Sequence, residues 1–304
     1  MGHRLVRPAV VRAVEAAASA RLGRPWTATG FTDLDERASH PAGIFRGAPF
    51  SVFAKFGTDV AQFTAEVRGL TLLAERAGVA TPAPVGDGVV PVDGGALLLL
   101  EAVPEVPPEQ RSTAQWESIG LALAALHGVG GERFGLEFDG YFGPLPQDNT
   151  PSSTWESFYA QRRLLPRLTS AVDSGRLPAD LAAGVERVAA RLPLLCGPPP
   201  RPALLHGDAQ QNNFLTSPSG AVLLDVAPYY GHPELDLALL DYFAPVPPVV
   251  FDAYRSVAGL APGFGGRREL WRLFAYLAVI TVDGGSAFGC SFLPRIAEAV
   301  ARYG

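Results

Sequence analysis

The stretch Leu205-His206-Gly207-Asp208-Ala209-Gln210-Gln211-Asn212-Asn213-Phe214-Leu215-Thr216, continued by Ser217-Pro218-Ser219-Gly220 and Ala221-Val222-Leu223-Leu224-Asp225, decides how this chain is read. Ser-Pro-Ser-Gly is a turn between two apolar runs, so the segments on either side of it are expected to pair as a β-hairpin with polar residues at both open ends. Such pairing brings the Asn213 amide oxygen, at the start of the hairpin, close to the Asp225 carboxylate at its end. Two converging hard oxygens suit Mg²⁺, which takes one or two protein ligands and completes its shell with waters and phosphate oxygens. Asp208 lies five residues before Asn213 on the connecting loop and faces the same space without being needed as a ligand. It is thereby left to accept a proton from an attacking hydroxyl. His206 is read as orienting this loop through ring hydrogen bonds rather than as a base. The plain alternative makes Asp208 and Asn213 turn-formers that bond their own backbone, which leaves the second acid without a role.

Outward from this stretch, composition singles out one more residue. Of the 25 basic residues in 304, only Lys55 is lysine, and two of the three asparagines are the neighbours Asn212 and Asn213. A lysine that survives such replacement by arginine is expected where a compact ammonium fits and a planar guanidinium does not. The run Phe50-Ser51-Val52-Phe53-Ala54-Lys55-Phe56 alternates, placing Val52, Ala54 and Phe56 on one strand face and Lys55 on the other. From Val60 the period turns helical through Phe63, Val67, Leu70 and Leu73, with Gly78 as the stop, and this helix carries Glu66 eleven residues after Lys55. As a surface pair, Lys55 and Glu66 would be worth under about 1 kcal/mol. However, the spacing His-x-Asp-x-x-x-x-Asn followed by a strand-end Asp resembles the catalytic loop of protein-kinase-like phosphotransferases. In that reading Glu66 holds the Lys55 ammonium against nucleotide phosphates.

The rest of the chain is expected to be α+β, a two-lobed arrangement of a small N-terminal antiparallel sheet and a larger, mainly helical C-terminal part. A helix over 3–22, short strands over 26–56 separated by turns such as His40-Pro41-Ala42-Gly43, and strands over 84–90 and 95–101 make a first lobe. Pro104, Pro107 and Pro108 stiffen the connection, so the boundary is placed near residue 103, with 1–103 as nucleotide-binding lobe and 104–304 as catalytic and acceptor-binding lobe. Helical periods follow over 113–129, 153–174, 178–194, 234–243, 248–258, 266–282 and 286–302.

At 48% hydrophobic and 18% charged the composition is globular, and no run approaches the roughly 18 apolar residues of a membrane span. A net charge of -5 argues against nucleic acid as partner. Cys196 and Cys290 are too few for a disulfide framework or a structural zinc site, so a soluble, unexported protein of the reducing cytoplasm is expected.

Leu205-His206-Gly207-Asp208, Asn213, and Leu223 through Ala238 together resemble the fructosamine kinase (ketosamine 3-kinase) family, within the wider aminoglycoside-phosphotransferase and protein-kinase-like group. Phe63-x-x-Glu66-Val67-x-Gly69-Leu70, Leu97 to Glu101, Leu126-His127, and Gln147-x-Asn149 followed by Trp155 and Phe158 extend the resemblance over most of the chain. The resemblance implies a kinase-like fold with ATP between the lobes and Lys55–Glu66 as ion pair. Backbone groups around Glu101 to Val103 would be the adenine hinge, Asp208 the base, Asn213 and Asp225 the Mg²⁺ ligands, and Asp236 the buried acid that ties the catalytic loop down.

Departures fall on the acceptor side. Gln210 stands where the family usually has Trp, Asn212 replaces a small residue, Ser39-His40-Pro41-Ala42-Gly43 offers a single Gly for a phosphate loop, and Thr281 to Gly285 lacks a His-containing helix end. The expected activity is ATP- and Mg²⁺-dependent phosphorylation of a hydroxyl on a sugar-like or amino-sugar-like small molecule. Ketosamines come first, with antibiotic or natural-product hydroxyls as the alternative and a silent nucleotide-binding regulator as the reading from another class. Gln210 and Asp241 are the candidate acceptor contacts, and Asp241, Asp283 and Glu234 in the acceptor lobe would suit an amine.

Overall fold

In a computed structural model, which describes residues 3–35 and 40–304, Pro8 opens and a left-handed Gly23 closes α1 (Pro8–Leu22). Three strands follow, β1 (Gly30–Asp33), β2 (Ala42–Arg46) and β3 (Val52–Gly57). Ala42 and Gly43, expected in a turn, pair instead with Lys55 and Ala54 as part of β2. The candidate phosphate loop beginning at Ser39 lies partly outside the described residues. Asp59 caps α2 (Val60–Ala77) by accepting the Ala61 and Gln62 amides, and Gly78 ends it in the left-handed conformation. With β4 (Pro84–Val92) and β5 (Gly95–Glu101), the described strands form one antiparallel sheet in the order β1-β2-β3-β5-β4. Val52, Ala54 and Phe56 bury one face of β3 in a cluster with Val10 and Val14 of α1, and Lys55 on the other face reaches Glu66 of α2.

A capping box between Ser112 and Gln115 starts α3 (Thr113–Gly128). A short hairpin, β6 (Gly140–Phe142) with β7 (Leu145–Gln147), follows without having been expected. The predicted helix over 153–174 is α4 (Trp155–Phe158), a wider π turn over Tyr159–Leu164, and α5 (Leu165–Asp173). Pro166 has no N–H for the Arg162 carbonyl, and the buried Arg163 guanidinium takes that carbonyl at 2.9 Å. After α6 (Ala179–Leu195) come β8 (Ala203–Leu205), β9 (Phe214–Ser217), β10 (Gly220–Leu223) and β11 (Tyr229–Gly231). The expected hairpin is β9–β10, while β8 pairs antiparallel with β11, Leu205 opposite Tyr229. The chain ends in α7 (Glu234–Leu239), α8 (Pro248–Ala258), α9 (Phe264–Asp283), α10 (Ala287–Cys290) and α11 (Leu293–Tyr303). Pro294, near the start of α11, accounts for the split in the run expected over 286–302.

Two compact units result, one running to Arg111 and including Leu215–Leu224, the other made of Ser112–Phe214 and Asp225–Gly304. The boundary near 103 is therefore corrected. Residues 104–111 and the hairpin belong to the sheet unit because Val106 N–H donates to Thr216 O at 2.7 Å and Leu223 N–H to Ala80 O at 2.9 Å. The second unit is built on α9, buried from Leu270 to Ile280 except for Arg272. Its α3 and α8 touch backbone to backbone at Gly120, where a Cβ would stand 2.1 Å from Val250 O. Among the described residues no helix is long and apolar enough to cross a membrane.

Candidate active site

Strand β8 ends at Leu205, and the next two residues are held by one buried acid. Asp236 at the start of α7 is fully buried and accepts the His206 amide at 2.7 Å and the Gly207 amide at 3.0 Å. Gly207 has φ +83°, and a Cβ on it would lie 1.9 Å from Ala227 O, so only glycine fits between the two segments. His206 is buried, accepts the Asp208 amide on Nδ1 at 3.3 Å and packs on Phe214 at 5.1 Å between centroids, geometry that orients the loop.

Asp208 is thereby turned into a buried position, 7% exposed, with its backbone carbonyl accepting from Asn213 Nδ2 at 2.8 Å. Its Oδ2 lies 3.4 Å from Gln210 Nε2, and its Oδ1 has no hydrogen-bond partner among the described residues. Burial first, and the negative charge of Asp225 second, push the Asp208 carboxyl up to about 7. Asp225 itself has φ +45°, a conformation that costs a non-glycine residue about 1–3 kcal/mol and collects at functional sites.

The donor set fits a divalent cation. Asn213 spends its Nδ2 on Asp208 O, which turns its Oδ1 to a different side, and Asp225 carries a solvent-exposed carboxylate close enough to Asp208 to oppose its ionisation. A cation held by Asn213 and Asp225 would relieve that repulsion.

In the sheet unit, Lys55 Nζ donates to Glu66 Oε2 at 2.9 Å, with side-chain exposures of 8% and 10%, and lies 5.6 Å from the Phe63 ring centroid. This is a buried pair, not the surface pair of the plain reading. At the end of β5, Glu101 N–H donates to Ala83 O at 2.8 Å and Ala102 N–H to Ser51 O at 2.9 Å. The Glu101 carboxylate accepts from Arg21 at 2.7 Å. Val103 follows beside a hollow of about 360 Å³ lined within the same unit by Ala80, Pro82, Ala102, Ser217 and Val222.

Two acids expected to meet an amine are already engaged. Asp241 is paired with both Arg268 and Arg272, and the buried Glu234 accepts from Arg267 Nε at 2.9 Å and Trp271 Nε1 at 2.8 Å. Their charges are neutralised inside the fold, which removes Asp241 and Glu234 as amine contacts, while Asp283 stays exposed at the end of α9. Gln210 stays beside Asp208.

Sequence reasoning gave no role to three groups around this loop. His127 at the end of α3 reaches Asp236 Oδ2 at 3.2 Å and Tyr254 OH at 2.9 Å. Arg163 is buried over Tyr229 and donates to Asn149 Oδ1 at 2.5 Å. Buried Tyr242 has its hydroxyl ionisation opposed by burial and by the Asp208 charge. Leu126-His127 and Gln147-x-Asn149 were visible as fragments, but partners 109 and 14 residues away were not.

The family model for fructosamine kinase matches residues 11–299. The probable ketoamine kinase YniA of Escherichia coli (strain K12) is 32% identical over 224 residues, 73% of this chain and 76% of that protein. The crystal structure of a "putative fructosamine-3-kinase" from Thermobifida fusca superposes with a TM-score of 0.81 at 35% identity, covering 96% of this chain and 99% of that one. An aminoglycoside phosphotransferase, APH(4)-Ia, solved in a ternary complex with ADP and hygromycin B, shares the kinase-like fold at a TM-score of 0.65 and 15% identity, over 95% of this chain and 98% of its own. Matched along nearly its whole length, the chain belongs to the fructosamine kinase family and is a phosphotransferase.

Proposed function

We propose that this protein transfers the γ-phosphoryl group of ATP to a hydroxyl of a ketosamine, a sugar-like small molecule bearing an amine. The observation that carries the reading is Asp208 Oδ1, buried and without a hydrogen-bond partner among the described residues, in a loop that also carries Asn213 and leads to Asp225. Asp208 accepts the proton of the acceptor hydroxyl as its oxygen bonds to the γ-phosphorus, the bond to the β-phosphate oxygen breaks, and ADP leaves. Burial holds the Asp208 carboxyl above the ordinary carboxylate range, and a cation on Asp225 would offset the second cause of that rise, favouring the ionised base.

Asn213 and Asp225 would hold Mg²⁺, which when bound supplies charge neutralisation for the phosphates. Lys55, kept in place by Glu66, steadies the α- and β-phosphates, and the backbone of Glu101 to Val103 takes the adenine. Asp236 and His206 act by positioning the loop. Gln210 is the acceptor contact that replaces the family's aromatic residue. We place the reaction in the cytoplasm, where ATP is supplied and Cys196 and Cys290 stay reduced.

The test is phosphorus NMR of reaction mixtures containing ATP, Mg²⁺ and either a glucose-derived ketosamine of glycine or an aminoglycoside. A new sugar-phosphate resonance with the ketosamine supports the reading. Transfer to the aminoglycoside alone would make the protein an antibiotic-type phosphotransferase, and ATP binding without transfer to either would favour a regulator.

A further inference from the structure

The second unit carries a cavity of about 350 Å³ that phosphoryl transfer does not use. Its walls come from the end of α3, the segment leading into β8, the start of α7, and the end of α8 with the loop beyond it. The acid in the wall, Glu234, is consumed by Arg267 and Trp271. His232, 6% exposed, accepts the Glu234 amide on Nδ1 at 3.2 Å, so the neutral ring carries its proton on Nε2. Burial holds this imidazole down to about 4, which keeps it neutral at physiological pH. Among the described residues, Nε2 has no hydrogen-bond partner.

Arg201 lies across Gly130, its Nε 2.5 Å from where a Cβ would stand, and no carboxylate pairs with it among the described residues. One cavity is therefore lined by a charged donor, Arg201, and by the neutral His232 ring. Beside them Leu237, Leu260 and Ala258 supply apolar wall. An acceptor bearing negative charge would answer Arg201 by a charge-assisted bond and could accept from the neutral His232 N–H as well.

We propose that this cavity is a binding site for a small organic carboxylate, its head group on Arg201 and His232 and its carbon body against Leu237 and Leu260. The site is also linked to the loop that carries Asp208. His127 in its wall bridges Tyr254 and Asp236, and Asp236 holds the His206 and Gly207 amides. A ligand that favours one setting of His127 biases the anchorage of that loop, by as much as its affinity differs between settings.

Five histidines make ring-labelled NMR of the full chain tractable. Titrated with hexanoate, the His232 and His127 rings should shift saturably, and those of His3 and His40 should not. Arg201→Gln should weaken the binding at least about tenfold, the loss of one charge-assisted hydrogen bond. Ala258→Trp, at an exposed lining position, should block it by filling the cavity. Both variants should keep the wild-type phosphoryl-transfer rate within about twofold without hexanoate, which separates this site from the transfer chemistry. Hexan-1-ol lacks the charge and inorganic phosphate lacks the apolar body, and each should bind at least tenfold more weakly than hexanoate. Absence of saturable shifts, equal affinity in Arg201→Gln, or equal binding of the alcohol or of phosphate would each overturn the proposal.

Discussion

Asp208 holds its proton more tightly than an ordinary carboxyl because two effects add, loss of water and the neighbouring charge of Asp225. As the base it must be ionised, so kcat/KM should rise with pH through about 7 and level off above it. Asp208→Asn should lower kcat by roughly 10² to 10⁴ and leave the nucleotide Kd nearly unchanged; an unaltered kcat would remove Asp208 from the chemistry. Stability carries the opposite sign. The folded-state value of about 7 lies above the ordinary 3.8, so the stabilisation from this group is fully present below the unfolded value and lost as pH rises through the folded one. Melting of the metal-free protein between pH 4 and 8 should show that falling limb, and Asp208→Asn should flatten it. For Lys55, the 2.9 Å pair with Glu66 is too buried for a wider head group to enter without displacing its partner. Lys55→Arg should cost at least about tenfold in turnover, some 1.4 kcal/mol, while the fold persists. The exposed control Arg187→Lys should change neither, and wild-type turnover in Lys55→Arg would return this lysine to an ordinary structural role.

At the scale of elements, the loop between β8 and β9 is shaped by backbone constraints more than by its own propensities. Asp236, from α7, takes two successive amides, and Gly207 passes the 226–227 segment with no room for a methyl group. Gly207→Ala places that methyl against a carbonyl oxygen at a left-handed φ, so at least about 2 kcal/mol of stability should be lost together with activity. Thermal melting of this variant beside Gly143→Ala tests the point. Gly143 also has positive φ, at +56°, but nothing lies within 4 Å of its would-be Cβ, so its loss should be smaller. Equal effects would mean that φ alone, and not the close approach to Ala227, constrains the loop.

For the whole molecule, the sheet unit is discontinuous in sequence, since it needs Leu215–Leu224 from far downstream. A fragment of residues 1–111 lacks the partners of Val106 and Ala80 and should melt without a cooperative transition. The same fragment joined to 215–224 through a Gly/Ser linker should regain one, and circular dichroism of the two tells them apart. Asp225 follows that hairpin directly and is the one full negative charge assigned to the cation. Asp225→Ala should therefore abolish the Mg²⁺-dependent part of ATP affinity in calorimetric titration, and equal affinities would place the metal elsewhere.

By itself the sequence determined which residues are candidates for the site, because those signals are local. The hairpin turn at 217–220, the five-residue step from Asp208 to Asn213, and a lone lysine on an alternating strand need only period and spacing to be legible. It also marked most helices, whose caps are single residues such as Asp59, Ser112 and Gly78. Tertiary structure alone decided which charges remain available. Asp241 and Glu234 look alike in sequence to an acid that could meet an amine, but each is met by arginines 27 to 33 residues on. It decided that the 104–111 segment and the β9–β10 hairpin belong with the sheet, through hydrogen bonds spanning more than a hundred residues. It also brought the His127 ring, from the end of a helix with no polar pattern of its own, onto the acid that anchors the loop. Pairings of that range leave no period in the chain, because what fixes them is the packing of α3, α7 and α8 rather than any neighbour in sequence.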